Sequence, residues 1–253
     1  MKNQRLTGYL LHTRPYQEKR AIYQLFSHEF GLVHGVGARG MPTFVLLELF
    51  AGGKNELKTF SQIQLSARSV LKPVMGQVQY ALLYMNEVLS RLLPLESPCP
   101  TLWQVYHEEV IALQALGNLE ASDNTRHLKV SLRRFERALF DELGASIDFI
   151  YDAVGKKIDA EAYYRFVPEM GFILTTSSII HQAQSEGKKV SRVSYLGCDL
   201  LLMGRADGDE KIYYQKIEEF GQLQRDVMNY LLDYKPLHSR KLWQQSLFYQ
   251  QSS

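Results

Sequence analysis

The sequence predicts an α+β chain in two parts, a small five-stranded closed β-barrel followed by a mainly α-helical C-terminal domain. Three observations predict it. Residues 6–65 divide into short runs of β-compatible composition, the apolar period changes from two to about 3.6 after Lys72-Pro73, and 253 residues at 45% hydrophobic and 22% charged are ordinary for one large domain or two modest ones. This composition excludes a mainly disordered chain.

The β runs are LTGYLLHTR, RAIYQLFS, GLVHGVGA, TFVLLELF and ELKTFSQIQL. Arg14-Pro15, the Gly31 start, the Gly37 to Pro42 turn and Gly52-Gly53 separate them. Five short strands in about sixty residues suggest a Greek-key barrel of the OB type, whose members commonly bind oligonucleotides; an SH3-like barrel would give a similar pattern. VQYALLYMNEVLSRLL is apolar around most of its circumference and reads as a buried helix, with Glu87 and Arg91 in the favourable i,i+4 order. A second helix runs from about Thr101 to Leu116 and a third from Arg126 to Leu143, stopped by Gly144. Phe149 to Ser178 is mixed and contains the β-like GFILTT. Lys188 to Met203 is a weak helical candidate, Glu210 to Tyr234 a strong one and Ser239 to Tyr249 a short terminal one. The expected domains are therefore 1–75, an OB-type barrel, and 76–253, helical with an irregular stretch near 149–178.

Charge is distributed unevenly. Residues 1–72 hold ten Lys/Arg against four Glu, residues 73–124 hold one against six acidic residues, and five basic residues then fall between Arg126 and Arg137. The asymmetry favours a polyanion partner for the N-terminal part. There the cations interleave with aromatics, as in Arg14-Pro15-Tyr16, Arg20 to Tyr23 and Lys58-Thr59-Phe60, a mixture that suits single strands because cations neutralise phosphates while rings stack on bases. The candidate DNA contacts are Arg14, Lys19, Arg20, Arg39, Lys54 and Lys58. Barrel aromatics mostly point inward, so Tyr16, Tyr23 and Phe60 are each expected in the core ahead of a stacking platform.

In the third helix Leu128, Leu132, Phe135, Leu139 and Leu143 form an apolar stripe, while Arg126, Lys129, Arg133 and Arg137 form a basic one that shares its sector with Phe140. The bland reading covers Phe140 with another helix; the functional one makes this face a docking patch for an acidic peptide with an aromatic anchor.

Catalytic signals are missing. Gly35 to Gly40 spells GxGxxG but leads through Met41-Pro42 into a β run instead of a helix, so these glycines read as a β-turn. The seven histidines lie in no HxH or HExxH spacing, and no GxSxG, Walker A or paired-carboxylate pattern is present. Cys99 and Cys198 are too few for a disulfide framework and read as free thiols. No apolar run is long enough for a membrane span and the N-terminus lacks a secretory pattern, so a cytoplasmic address is expected.

Six ordered blocks resemble the RecO family of bacterial recombination mediators: GYLLHTRPYQEKRAIYQLFSHEFGLV, NELKTF, YALLYMNEVLSRLL, LRRFERALFDELG, GFIL and PLHSRKLW. The resemblance runs almost end to end. It implies an N-terminal OB domain, a helical C-terminal domain and a non-catalytic role: binding single- and double-stranded DNA, annealing complementary strands, and helping RecR load RecA on DNA coated by single-stranded DNA-binding protein. It also implies that the acidic, Phe-ended tail of that binding protein docks in the helical domain, with Arg133 and Arg134 at the family's basic positions, and that Arg14 and Arg39 contact DNA. Two departures stand out. The long basic loop many members carry after the third strand is reduced to GVGARGMP, and Phe149 to Ser178 has no cysteine for the four-cysteine zinc site of some members. No zinc or other cofactor is expected. The alternative reading is a non-catalytic interaction scaffold whose basic barrel serves solubility.

Overall fold

A computed structural model of the chain describes residues 3–69, 72–116, 122–207 and 209–251. Strands β1 (Gln4–Pro15), β2 (Arg20–Ser27), β3 (Gly31–Ala38), β4 (Leu47–Gly52) and β5 (Lys58–Leu65) close into a barrel in the order β1-β2-β3-β5-β4, with β3 and β5 parallel and every other pair antiparallel. This is an OB-type barrel. Alternate residues point inward, and Leu6, Leu10, Tyr23, Leu25, Val33, Leu47, Leu49 and Phe60 fill its centre. After it come α1 (Gly76–Leu92), α2 (Pro100–Leu116), α3 (Ser122–Glu142), β6 (Tyr163–Val167), β7 (Gly171–Leu174), α4 (Ile179–Ser185), β8 (Ser194–Leu196), α5 (Gly197–Met203), α6 (Lys211–Gln215), α7 (Ile217–Leu231) and α8 (His238–Gln251).

The chain forms two compact units, residues 1–138 with 236–253 and residues 139–235. In the first, the strand-to-helix change falls between Leu65 and Gly76, and the helices lie in the same unit as the barrel. Aromatics of α2 cover the outer face of β1 and β2: Trp103 Nε1 donates to the Phe26 carbonyl at 3.3 Å, and Tyr106 meets Tyr9 and Phe26 edge-on with centroids 5.3 and 5.5 Å apart. His107 stacks on Trp103 at 5.0 Å, with Nδ1 2.7 Å from the Tyr9 hydroxyl; burial holds its pKa below the usual value. The Glu87 carboxylate accepts the backbone N–H groups of His238 and Ser239, each at 2.9 Å, and so neutralises the start of α8. Burial opposes charge on Glu87, but the Ser239 and His238 bonds outweigh it and leave its pKa below the ordinary carboxylate range.

The second unit is built on a three-stranded antiparallel sheet in the order β7-β6-β8 with short helices around it. Phe149, Phe166, Phe172, Tyr195, Tyr213 and Phe220 are buried in it, with Phe172 next to Phe149, Phe166 and Tyr195.

Several expectations need correction. The run TFVLLELF becomes strand only at Leu47, because Phe44 takes φ +61° and the buried Phe44 and Leu46 carbonyls are met outside the ladder, by Gln114 Nε2 at 2.7 Å and Ser66 N–H at 2.9 Å. Residues 188–196 are not helical: the Ser191 N–H donates to the Phe166 carbonyl at 2.8 Å, and Ser194–Leu196 joins the sheet. Glu210 to Tyr234 is two helices, broken at Lys216 (φ −112°, ψ 31°). Five helices, not the three candidates of the sequence, follow residue 178 among the described residues. Gly35 and Gly37 belong to β3 and not to a turn; a Cβ on Gly35 would come within 2.4 Å of the Phe60 ring, so glycine there lets Phe60 fill the barrel. Cys99 is buried and Cys198 exposed, with no disulfide between them, and no helix among the described residues is long and apolar enough to cross a membrane.

Candidate nucleic-acid interface

Strand register gathers four of the six barrel cations. Arg14 lies opposite Ile22 near the end of β1, Arg20 opens β2 opposite Ala38 at the end of β3, and Lys19 and Arg39 flank those strand ends. The hairpin between β1 and β2 is tied by Tyr16 N–H to the Arg20 carbonyl at 3.1 Å. The next connection is bound to it by Arg39 N–H to the Lys19 carbonyl at 3.2 Å and by Arg39 Nε to the Arg20 carbonyl at 3.0 Å. All four side chains are exposed, as is Tyr16 at 44%. A ring of cations with one open aromatic can neutralise phosphates and stack on a base.

A β-bulge aims Arg14. Before it Leu6, Gly8 and Leu10 face inward, so simple alternation would send residues 12 and 14 inward as well. The β1–β2 register shifts between Leu10 and His12, which places His12 opposite Gln24 and Arg14 opposite Ile22, neighbours of the inward Tyr23 and therefore on the outer face. The bulge is held from α1. Asn86, 2% exposed, donates its Nδ2 to the carbonyls of Leu10 at 3.4 Å and Leu11 at 3.2 Å, and its Oδ1 accepts the Tyr106 hydroxyl at 2.6 Å. Sequence reasoning missed Asn86. Its signal was an Asn at the end of the apolar run YALLYM in the first helix, where a buried amide needs partners from another element.

The other two barrel cations stand apart. Lys54 is exposed in the β4–β5 connection, two residues beyond Gly52, and β4 ends beside the start of β1 where Gln4 pairs with Ala51, so the registers do not bring it to the Arg14 group. Lys58 is not a surface cation. It is 4% exposed, with Nζ 2.7 Å from Glu96 and 2.6 Å from the Asn55 carbonyl, and an ammonium so enclosed and paired contributes to the fold and not to a phosphate site. Of the candidate platforms, Tyr23 and Phe60 are core, with the Tyr23 hydroxyl donating to the Ala38 carbonyl at 2.6 Å, and Tyr16 alone is open.

On α3 the basic stripe divides along its length. Arg126 and Lys129 are exposed. Arg133 has its side chain 14% exposed, 3.0 Å from the buried Glu136, which also accepts the Tyr84 hydroxyl. Arg134, 41% exposed at the side chain, pairs with the buried Glu109 at 3.2 Å, and Arg137 is half-buried. Phe140 is 1% exposed and offers no anchor surface, which corrects its place in the docking patch. Val130, Ser131, Glu136 and Phe140 are buried with the predicted leucines, so the covered arc of α3 is wider than one stripe.

Comparison with known proteins decides the family. The family model described as Recombination protein O C terminal matches residues 77–193. A protein of Pseudoalteromonas atlantica named DNA repair protein RecO is 32% identical over 98% of this chain and 97% of its own. The chain belongs to the RecO family. A RecO of Haemophilus influenzae is 30% identical over 98% of both chains, and one of Stutzerimonas stutzeri is 36% identical over 65% of this chain and 67% of its own; both are likewise named DNA repair protein RecO. In this RecO-family chain the exposed cations that register brings together lie on the OB-type barrel, and the α3 cations face carboxylates of the first unit toward the C-terminal half of the helix.

Proposed function

We propose that this chain is a DNA repair and homologous recombination mediator that binds single- and double-stranded DNA at the Arg14, Lys19, Arg20 and Arg39 end of its barrel. The observation that carries the reading is the convergence of four exposed cations and Tyr16 on one end of an OB-type barrel in a RecO-family chain. Charge agrees with it, since the first unit holds 18 Lys/Arg against 11 Asp/Glu and the second 11 against 16. Two strands held by one basic surface lose much of their mutual repulsion, which favours annealing. The role is association and not covalent chemistry, and in it the protein assists RecR in loading RecA on DNA coated by single-stranded DNA-binding protein. The acidic tail of that binding protein is placed on α3, with Arg126, Lys129 and Arg134 as its contacts and Arg133 holding the local fold.

Annealing of complementary labelled strands tests the reading. The wild-type chain is expected to accelerate it, and the Arg14→Ala/Arg39→Ala variant to slow it while retaining the wild-type Tm. No acceleration by the wild type would overturn the proposal.

A further inference from the structure

The second unit carries an open cleft lined by Ser191, Asp226, Asn229, Tyr234 and Lys189. Two independent features there call for a cation. Asp226 Oδ1 accepts Gln222 Nε2 at 3.3 Å, but Oδ2 is buried with no hydrogen-bond partner among the described residues. A buried carboxylate oxygen without a donor is costly, and a ligand that brings one recovers that cost. The Lys189 ammonium, in turn, lies 5.5 Å from the centroid of the Tyr234 ring, so the chain's own cation occupies the aromatic half of the cleft. Tyr234 is 48% exposed, and its hydroxyl is raised above its ordinary pKa by burial and then by the charges of Glu169 and Asp226. The excess of acidic residues in this unit points the same way, since it disfavours nucleic acid and favours a basic partner.

We propose that this cleft receives an arginine side chain of a protein partner, its guanidinium donating to Asp226 and lying on the Tyr234 ring in place of Lys189. A guanidinium suits both halves, because it presents a planar fork of donors to a carboxylate and a flat cationic face to a ring. Lys189 is then a competitor. Removing it strengthens the site, the reverse of what a structural cation–π contact predicts. The proposal does not depend on DNA binding by the barrel.

The test is a titration of the full-length protein, labelled for NMR at tyrosine rings and asparagine side chains, with N-acetylarginine methylamide. Saturable shifts at Tyr234 and Asn229 in the millimolar range are expected, with affinity reduced at least fivefold by Asp226→Asn and raised at least twofold by Lys189→Ala. The citrulline analogue, equal in shape but uncharged, should produce no saturable shift. The proposal is overturned if the arginine probe gives no saturation, if the citrulline analogue binds as well, if spermidine shifts the same signals with equal affinity, or if Lys189→Ala weakens binding. Should Asp226→Asn unfold the unit, the Lys189→Ala and citrulline arms still decide the matter.

Discussion

Replacing Asn86 by leucine, which keeps the branching and the number of heavy atoms of the side chain, should destabilise the first unit and disturb the aim of Arg14 together. The substitution removes the donor to the Leu10 and Leu11 carbonyls at the bulge and leaves the Tyr106 hydroxyl without its acceptor, all in a site where Asn86 is 2% exposed. Each buried polar group left unmet costs about 1–3 kcal/mol. The 3.4 Å bond to Leu10 is long and the leucine recovers some apolar burial, so the net loss works out at about 2–4 kcal/mol. Both tryptophans, Trp103 and Trp243, lie in the first unit, so urea unfolding followed by tryptophan fluorescence reports on it selectively. With a slope of about 1–3 kcal/mol/M the midpoint should fall by roughly 1–2 M. Tyr106→Phe should cost less, about 1 kcal/mol, and the double variant should lose less than the sum of the two by about 1 kcal/mol, because both substitutions break the same bond. A loss below about 0.5 kcal/mol for Asn86→Leu, or strict additivity with Tyr106→Phe, would refute the account of the bulge.

Other outcomes follow from the same geometry. Lys58→Gln should lower Tm by exposing the unmatched Glu96 end of an enclosed ion pair, yet leave the salt dependence of DNA binding unchanged; a reduced slope would return Lys58 to the phosphate site. The pKa values of His107 and His34 are lowered in the fold, chiefly by burial, so the unfolded chain binds protons that the folded chain refuses. Stability is therefore full above the unfolded histidine value of 6.5 and declines as pH falls below it, and thermal unfolding between pH 7.5 and 5.5 should show a falling Tm that flattens in His107→Gln. A Tm that rises on acidification would contradict this sign. Arg126→Ala/Lys129→Ala should weaken an acidic peptide ending in Phe by about 1–3 kcal/mol in calorimetry and leave urea stability nearly intact, whereas Arg133→Ala should act mainly on stability. Zinc analysis of the purified chain is expected to find well below one equivalent, since residues 149–178 supply no cysteine; a full equivalent would refute it.

The parts of the fold legible in the sequence are those where local pattern and tertiary role agree. RAIYQLFS and GLVHGVGA are short β-compatible runs bounded by turn residues, and they are β2 and β3 to the residue. TFVLLELF was half legible: its apolar run marks burial correctly, but Phe44 to Leu46 is buried without joining the ladder, the Phe44 carbonyl being met by a side-chain amide from α2 and the Leu46 carbonyl by Ser66 N–H. The break at Lys216 has no proline or glycine to announce it. Its Nζ reaches Asp199 at 2.7 Å, a partner outside any local window, as well as Glu219 at 3.3 Å three residues on. At the candidate site, residue type and charge marked Arg14, Lys19, Arg20 and Arg39, but they could not separate these from Lys58, whose partner Glu96 is 38 positions away in the chain. Nor could helical spacing show that the buried arc of α3 extends to Phe140, and the bulge that turns Arg14 outward leaves no trace in alternation.

The central claim, that the barrel end carrying Arg14, Lys19, Arg20 and Arg39 binds nucleic acid through phosphates, is tested most directly by fluorescence anisotropy of labelled single-stranded DNA across a salt series. Affinity of the wild-type chain should fall steeply and linearly in log–log form, and Arg14→Ala should reduce the slope by about one unit or less, with a similar change for Arg39→Ala. Binding that is absent at low salt, or a slope unchanged by both substitutions, would contradict it.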